Sequence, residues 1–283
     1  MRVGALIFLT DRTIRPDQIG VELEERGLES LFVPEHTHIP TSRRTPYPAG
    51  GELPDEYRRT LDSLVALTSA AAVTERLVVG TGISLVAQHH PINLAKAIAS
   101  LDYVSDGRAV FGVGVGWNED EMEDHGVDPR QRRAHVREHV LAIKRLWSDE
   151  VASFDGQFVR FGPTWSWPKP VQQPHPPVLM GGAGGPITFR HVVEYCDGWM
   201  PIHGRRNIMT KLPALLAMAE EHGRDPASIE LGVFGCPADP AIIDQYAHAG
   251  FTRCVIPLPP EGADEVRRAL DAAAAVIDRY VAA

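Results

Sequence analysis

Short runs of β-branched and apolar residues alternate along the chain with longer segments in which apolar residues recur every three or four positions. The short runs are typical of buried strands, and the longer segments are typical of helices with one apolar face. The pattern predicts strands over Val3–Leu9, Leu28–Val33, Leu77–Ile83, Arg108–Val113, Val178–Met180, Gly198–Pro201, Ile229–Phe234 and Thr252–Ile256. It predicts helices over Pro16–Arg26, Arg59–Thr74, Pro91–Val104, Arg130–Trp147, Pro186–Tyr195, Asn207–His222, Pro240–Ala249 and Ala263–Val281.

Eight strand–helix pairs in strict alternation predict a (β/α)8 (TIM) barrel that forms a single domain over residues 1–283. A doubly wound sheet is the alternative, because alternation alone does not close a barrel, but the count of eight favours closure. Two stretches interrupt the alternation. One is an extended Pro- and Gly-rich loop, Pro34–Asp55, after the second strand. The other is an insertion, Val151–Pro170, after the fourth helix, and its Phe154–Phe158 segment is typical of a small hairpin.

Composition and charge exclude several classes of protein. With 44% hydrophobic and 23% charged residues, the 283-residue chain has the composition of an ordinary globular protein. Its net charge of -9 argues against nucleic acid as a partner. The N-terminus enters a strand directly, and no apolar run approaches the roughly 18 residues of a membrane span. The three widely spaced cysteines indicate reduced thiols. Together these features predict a cytoplasmic protein without membrane partners.

The end of the fourth predicted strand changes from apolar residues to alternating glycines and then to a polar, acidic cluster, Asn118–Glu121. Glycines at Gly112, Gly114 and Gly116 are typical of a strand end on which a flat ligand lies against the backbone, although an ordinary strand–helix turn is the alternative. A dinucleotide-binding fingerprint is excluded, because Trp117 occupies the position of its third glycine.

The end of the second predicted strand brings together Glu35, His36 and His38. A carboxylate and two histidines at a strand end suit acid–base chemistry, and a solvent-facing loop with incidental histidines is the alternative. His38 is also a candidate for binding the substrate, together with Arg43 and Arg44 in the following loop. The two arginines suit an anionic substrate, unless they are solvated surface charges.

A glycine-rich segment, Gly181–Gly185, follows the fifth predicted strand and precedes a helix that opens with Pro186. Bare backbone N–H groups at a helix start suit a phosphate group. The segment lacks the Lys-Ser/Thr of a P-loop, so hydrolysis of a nucleoside triphosphate is not indicated.

His135-Val136-Arg137-Glu138-His139 matches the H-x-x-E-H pattern of some zinc proteases. No further ligand occurs at a recognisable spacing, and short motifs recur by chance. A zinc hydrolase is therefore the weakest functional hypothesis, and we predict no metal site.

Taken together, several short segments resemble the bacterial luciferase-like superfamily, and within it the oxidoreductases that use the deazaflavin coenzyme F420. These segments are V-P-E-H at 33–36, G-T-G at 80–82, L-D-Y-V-S-D-G-R at 101–108, G-V-G-V-G-W-N-E at 112–119, P-K-P-V-Q at 168–172, P-H-P-P at 174–177, G-G-A-G-G-P at 181–186 and D-G-W at 197–199. The likeness extends over nearly the whole chain, and the order of the segments makes it specific.

The resemblance implies that a ring cofactor lies at the carboxyl ends of the barrel strands, with a cis peptide bond at Gly82-Ile83 supporting the ring. It implies catalytic roles for His36 and Glu35, with Glu35 orienting the histidine or contacting the cofactor. The cofactor-binding residues that it implies are Thr81, Gly82, Ile83, Val115, Gly116, Trp117, Ala183, Gly184 and Gly185. It also implies a homodimer, a small-molecule substrate and a separate enzyme that reduces the cofactor.

The same resemblance leaves the reaction open. Hydride transfer with F420 is the leading hypothesis; an FMN- and oxygen-dependent monooxygenase on the same fold is the alternative, and a non-catalytic binder of F420 or flavin is a weaker one. Trp117 and Pro40 stand where the sugar-phosphate dehydrogenases of the superfamily carry glutamate and tryptophan. Glucose-6-phosphate oxidation is therefore not implied.

Overall fold

Eight parallel strands close into a barrel, as the alternating pattern predicts. The structure is a computed structural model that describes residues 1–205 and 207–281. Around the barrel the strands are β1 (Arg2–Leu6), β2 (Ser30–Val33), β3 (Val78–Thr81), β4 (Ala109–Val113), β7 (Val178–Gly181), β8 (Gly198–Met200), β9 (Glu230–Phe234) and β10 (Arg253–Pro257). β10 pairs with β1 to complete the closure, so the doubly wound alternative was wrong.

Helices pack around the outside of the barrel. In the described part of the chain they are α1 (Pro16–Glu25), α2 (Ser63–Ala71), α3 (Pro91–Val104), α4 (Glu119–Asp124), α5 (Arg132–Ser148), α6 (Pro186–Tyr195), α7 (Ile208–Glu221), α8 (Pro240–His248) and α9 (Ala263–Val281). Proline stands at the first turn of α1, α3, α6 and α8, where its missing N–H is not needed. None of the helices within residues 1–205 and 207–281 has the length and apolarity to span a membrane.

Two helices differ from the prediction by more than two residues. α2 begins at Ser63 instead of Arg59, because the Asp62 side chain accepts hydrogen bonds from the N–H groups of Leu64 and Val65 and so caps the helix there. α4 was not predicted, because its six residues lie within the acidic cluster and show no apolar periodicity.

The predicted insertion after the long helix is an antiparallel hairpin of β5 (Ala152–Asp155) and β6 (Arg160–Thr164). Glu138, the acidic residue of the H-x-x-E-H motif, anchors its turn by accepting hydrogen bonds from the N–H groups of Gln157, Phe158 and Val159. The Nδ1 atom of His139 bonds the carbonyl of His135 one turn earlier. The motif therefore has a structural role in this fold. The short sequence pattern alone does not distinguish this role from that of a set of metal ligands.

The interior of the barrel is filled by side chains from alternating strands. Phe32, Val110, Leu179, Met200, Phe234 and Val255 form one buried cluster there. Gly80 makes room for it, since a Cβ at Gly80 would lie 2.4 Å from the ring of Phe32. Because these side chains close the barrel below, any ligand site lies above them, at the carboxyl ends of the strands.

Candidate active site

A cavity of about 290 Å³ opens at the carboxyl ends of the strands. Its lining is mostly apolar and aromatic. The lining residues are Leu6, Phe8, Pro34, Glu35, His36, Tyr47, Pro48, Tyr57, Gly82, Ile83, Leu85, Gly116, Trp117, Gly181, Gly182, Ile202, Arg205, Phe234 and Gly235. Seven different barrel strands or the segments after them contribute, so the closed fold is what brings these residues together.

His36 is held by a carboxylate that the sequence had not paired with it. Its Nδ1 atom lies 2.7 Å from Oε2 of Glu121, and both side chains are buried. A carboxylate oxygen accepts a hydrogen bond, so Nδ1 carries the hydrogen and Nε2 is the ring nitrogen left for a ligand. The hydroxyl of Thr60 donates to the carbonyl of His36 at 2.7 Å and fixes the backbone. This arrangement can take up or deliver one proton at Nε2.

The short helix α4 serves both His36 and the long loop after β2. Oε1 of Glu121 accepts the N–H of Thr37 at 3.0 Å, next to the histidine. The preceding residue, Asp120, accepts the hydroxyl of Ser42 at 2.6 Å and the N–H of Arg44 at 2.9 Å. Consecutive carboxylates on one helix therefore fix the histidine and the loop together.

Glu35 does not orient His36, which corrects the role that we expected for it. Its buried carboxylate accepts hydrogen bonds from the hydroxyl of Ser84 at 2.9 Å and the N–H of Leu85 at 2.6 Å. It also accepts from Nε2 of His89 at 3.0 Å. Burial acts to raise the pKa of Glu35, but the hydrogen bond and the charge of His89 outweigh it and the pKa is lowered. Glu35 is thus an ionised anchor for the segment directly after Gly82-Ile83.

That segment forms one wall of the cavity. The peptide bond between Gly82 and Ile83 is cis, as the resemblance implied, and both residues line the cavity. Thr81 does not line it: its side chain is fully buried, and its hydroxyl donates to the carbonyl of Gly112 at 2.7 Å. Direct contact between the Thr81 side chain and a ligand was therefore a wrong expectation.

The alternating glycines lie at the end of β4 or just after it, and their surroundings differ. A Cβ at Gly112 would lie 2.1 Å from the carbonyl oxygen of Thr81, and one at Gly114 would lie 2.3 Å from the Cδ1 of Ile83. Both positions are therefore crowded by protein. Gly116 has a positive φ of 70°, and a Cβ there would lie 2.7 Å from the Cε of Met122. Of the three glycines only Gly116 lines the cavity, so a ligand close to the backbone stays a prediction for this position.

Aromatic side chains form the opposite wall. Trp117 makes edge-to-face contacts with His36, Tyr47 and Tyr57, at centroid distances of 5.7, 6.0 and 6.3 Å. Tyr47 comes from the long loop, and Tyr57 comes from the short helical turn Asp55–Arg58 at its end. The sequence pattern predicted neither residue as part of the site. Burial, followed by the hydrogen bond with Tyr47, raises the pKa of Tyr57, so its phenol stays protonated. This wall offers a ligand flat apolar surfaces and hydroxyl groups.

A second pocket of about 240 Å³ adjoins the cavity and shares Gly181 and Gly182 with it. Its lining is Val115, Arg133, Met180, Gly181, Gly182, Ala183, Gly184, Gly185, Pro186, Ile187 and Thr188. Val115, Ala183, Gly184 and Gly185, which were predicted to bind a cofactor, therefore lie here. The pocket opens at the start of α6, so backbone N–H groups and the helix dipole favour an anion.

Arg133 adds a positive charge to this pocket and was not predicted. Burial lowers the pKa of its guanidinium, and the charge of Arg132 acts in the same direction. No carboxylate of the described residues lies within the 4.0 Å of an ion pair. The sequence alone does not distinguish Arg133 as a binding residue, because it is one of four arginines between residues 130 and 137.

The three predicted substrate residues lie outside the lining of the cavity. Nε2 of His38 lies 3.0 Å from a carboxylate oxygen of Asp124, and Arg44 pairs with Asp120 at 3.1 Å and with Glu123. The guanidinium of Arg43 stands 5.9 Å from the ring centre of Trp117 and is not part of the lining. His38 and Arg44 are therefore occupied by partners within the chain. The arginine that does line the cavity is Arg205, which the sequence pattern did not indicate.

Comparison with known proteins gives one family. Residues 17–239 match the model of the luciferase-like monooxygenase family. The "Uncharacterized protein Rv0953c" of Mycobacterium tuberculosis is 42% identical over 287 residues, which cover 100% of this chain and 98% of that protein. An F420-dependent glucose-6-phosphate dehydrogenase of Kineococcus radiotolerans is 30% identical over 221 residues, covering 75% of this chain and 60% of the relative. The crystal structure of monooxygenase RslO1 from Streptomyces bottropensis superposes with a TM-score of 0.79 at 22% identity, covering 99% of each chain.

Proposed function

The chain belongs to the luciferase-like monooxygenase family, and from that premise we propose that it is an oxidoreductase that transfers a hydride between coenzyme F420 and a small organic substrate. One observation carries the proposal: a mostly apolar cavity, lined by His36 with Glu121 bonded behind it, adjoins a glycine-rich pocket with a half-buried cation, Arg133. This shape suits a flat ring next to an acid–base group, with a phosphate beyond it. The preference for F420 over a flavin rests on the dehydrogenase relative.

The residues present fit such a cofactor. Both amide atoms of Asn118 are buried without a hydrogen-bond partner, next to the cavity residue Trp117. Buried polar atoms are normally paired, so these two are suited to hydroxyl groups of a bound molecule. A Cβ at Gly182 or Gly185 would meet nothing within 4 Å, so the glycine-rich pocket has free space beside its backbone. Val115, Gly184, Gly185 and Arg133 would hold a phosphate there, while Gly82, Ile83 and Gly116 would face the ring.

The protein groups supply position and proton transfer. When bound, F420 supplies a ring carbon that accepts or donates a hydride. Nε2 of His36 takes the hydroxyl proton of an alcohol during oxidation, or returns a proton to the oxygen of a carbonyl compound during reduction. Glu121 keeps Nδ1 protonated and so keeps Nε2 available. The aromatic wall orients the substrate and excludes water.

An FMN-dependent monooxygenase is the second candidate. The same pocket would take the phosphate of FMN, and RslO1 is a monooxygenase, although a likeness at 22% identity concerns the fold. A non-catalytic binder of F420 or flavin is the third. Homodimer formation, a cytoplasmic location and a separate cofactor reductase stay predictions.

Titration of the cofactor-free protein with F420 and, separately, with FMN tests the proposal, with fluorescence as the readout. We expect F420 to bind at micromolar concentration or tighter and FMN to bind at least tenfold more weakly. The reverse preference would select the monooxygenase. Tight F420 binding without hydride transfer, across a panel of alcohols and carbonyl compounds, would select the binder. Failure of both cofactors to bind would refute all three.

A further inference from the structure

The cavity contains one guanidinium among its described lining residues, at Arg205. Of the other two ionisable groups that matter there, the carboxylate of Glu35 is saturated by hydrogen bonds within the protein, and His36 is engaged by Glu121 at Nδ1. The remaining wall is largely apolar. Among the described lining residues, Arg205 is therefore the charged side chain of the cavity that has no partner within the protein.

Arg205 has no acidic partner in the described part of the chain, since no carboxylate there lies within the 4.0 Å of an ion pair. Most arginines of this acidic protein do have such a partner. Even the exposed Arg12, Arg58 and Arg145 each pair with an aspartate. Arg205 thus leaves its donors available to a molecule from solution.

The position of Arg205 is set by a fixed turn after β8. The N–H of His203 donates to the carbonyl of Phe234 at 2.8 Å, and Nδ1 of His203 lies 2.9 Å from the hydroxyl of Tyr246. The N–H of Arg205 closes the turn onto the carbonyl of Ile202 at 3.3 Å. The cation is thus presented by backbone that neighbouring strands hold in place.

Arg205 lines the cavity near Tyr57, and the glycine-rich pocket is the adjoining space. It does not line that pocket, where Arg133 stands. Its charge acts to lower the pKa of Tyr57, against the larger opposing effect of burial, so the two side chains are neighbours. Arg133 therefore stands at the pocket proposed for the phosphate of the cofactor, and Arg205 stands at the cavity near Tyr57.

We propose that Arg205 is a substrate-binding residue and that the substrate is a small molecule with an apolar, ring-bearing body and one carboxylate group. The aromatic wall of Tyr47, Tyr57 and Trp117 takes the body, and the two parallel N–H groups of the guanidinium take the carboxylate. A doubly charged phosphate ester would need further cations, and the described lining offers neither a lysine nor a second arginine. This inference names the substrate class of the proposed function and rests on it.

Binding of a matched pair of probes, 3-phenylpropionate and its neutral amide, tests the inference by calorimetry. The titrations use the full chain, first without cofactor and then with saturating F420. The variants are Arg205→Met, Arg205→Lys and the control Arg76→Met. Arg76 is also an exposed arginine, but it precedes β3 at the opposite end of the barrel. Thermal unfolding of each variant checks the fold.

We expect wild type and Arg76→Met to bind the carboxylate about tenfold more tightly than the amide, a difference of about 1.4 kcal/mol. Arg205→Met should bring the ratio close to one, and Arg205→Lys should keep part of it. The affinity for F420 should change by no more than a few-fold in all variants.

Equal affinity for the two probes in wild type, or no binding of either at millimolar concentration, would overturn the inference. A ratio that survives in Arg205→Met would overturn it as well. Loss of F420 affinity in Arg205→Met with an unchanged ratio would reassign the residue to the cofactor. An Arg205-dependent preference in a protein that binds neither F420 nor FMN would refute the proposed function but support the carboxylate site.

Discussion

Nδ1 of His36 and Oε2 of Glu121 lie 2.7 Å apart, although 85 positions separate the two residues in the chain. Substituting the histidine removes the imidazole that we propose exchanges a proton with the substrate. We expect His36→Asn to lower kcat by a factor of about 10² to 10⁴, while F420 affinity changes by no more than a few-fold. His222→Asn is the control, since this exposed histidine on the far end of α7 bonds only the carbonyl of Met218. Steady-state kinetics of both variants, with fluorescence titration of F420, make the comparison. Undiminished turnover in His36→Asn would remove the histidine from the mechanism.

Glu121→Gln should lower kcat by about tenfold or more, equivalent to at least ~1.4 kcal/mol of barrier, with little change in KM or in F420 affinity. The amide can present its N–H to Nδ1 and so favour the wrong tautomer of the histidine. The matched control is Glu123→Gln on the same helix, since Glu123 is exposed and pairs with Arg44. If both variants turn over equally fast, Glu121 has no role beyond structure.

Gly185→Ala should weaken F420 binding by about tenfold. The backbone of Gly185 is extended, and a Cβ there would meet no protein atom within 4 Å, so the protein itself tolerates alanine. A methyl group would instead occupy the space proposed for the phosphate. Gly162→Ala in the hairpin, where a Cβ also meets nothing, is the control and should bind F420 like wild type. Fluorescence titration decides, and equal affinity in the two variants would place the phosphate elsewhere.

His89 and Glu35 should make stability depend on pH in a defined direction. Burial acts to lower the pKa of His89, but the hydrogen bond and charge of Glu35 outweigh it, so the pKa is raised above 6.5 in the folded protein. The charged histidine therefore stabilises the fold fully below pH 6.5 and loses this contribution as the pH rises through its raised value. The pKa of Glu35 is lowered below 4.5, so its contribution is present above pH 4.5 and is lost as the pH falls.

The variant that tests this pair is His89→Gln, which keeps a donor but not the charge. Urea unfolding should show the largest difference in free energy of unfolding between wild type and variant at pH 5 to 6, within the window set by 4.5 and 6.5. The difference should shrink above it. A difference that grows from pH 6 to pH 9 would show that the charge of His89 does not stabilise Glu35.

Glu138→Gln should destabilise the protein by about 1–3 kcal/mol, because an amide cannot replace a carboxylate that accepts three backbone N–H groups. Glu150→Gln is the control, since that side chain is exposed. Urea unfolding measures both variants, and prior dialysis of wild type against a chelator should leave its unfolding unchanged. If the chelator lowered the free energy of unfolding strongly and Glu138→Gln did not, the hypothesis that the H-x-x-E-H motif binds a metal would be favoured instead.

Particular residues show how much of the fold and of the site the sequence predicts. The strand and helix pattern predicted the barrel, and the bounds of α3, α6 and α9 were predicted to the residue, because proline or charge marks their ends. His36 was predicted from its place at a strand end. Glu121 was noticed in the acidic cluster, but which of its four polar residues meets the histidine depends on the turn into α4, a helix too short to leave a periodic pattern.

The residues that sequence reasoning missed come mostly from irregular segments. Tyr47 and Arg205 lie in loops, and Tyr57 lies in the short helical turn Asp55–Arg58. The path of such segments is set by contacts such as that between Asp120 and Ser42 rather than by local preference. Conversely, Arg44 and His38 were plausible ligands by residue type, but nearby carboxylates neutralise them. Sequence identifies the side chains able to do chemistry, and the tertiary fold decides which of them are free to do it.

The two neighbouring carboxylates of α4 also bear on how this chain can diversify. Substitutions near Ser42 and Arg44 would affect α4, the helix that aligns His36, because both residues donate hydrogen bonds to Asp120. Tyr47 and Pro48, only a few positions further along the same loop, line the cavity without that tie. A descendant can therefore exchange one substrate for another by altering the second group while its proton chemistry stays intact. Mutations in the first group would alter both properties together.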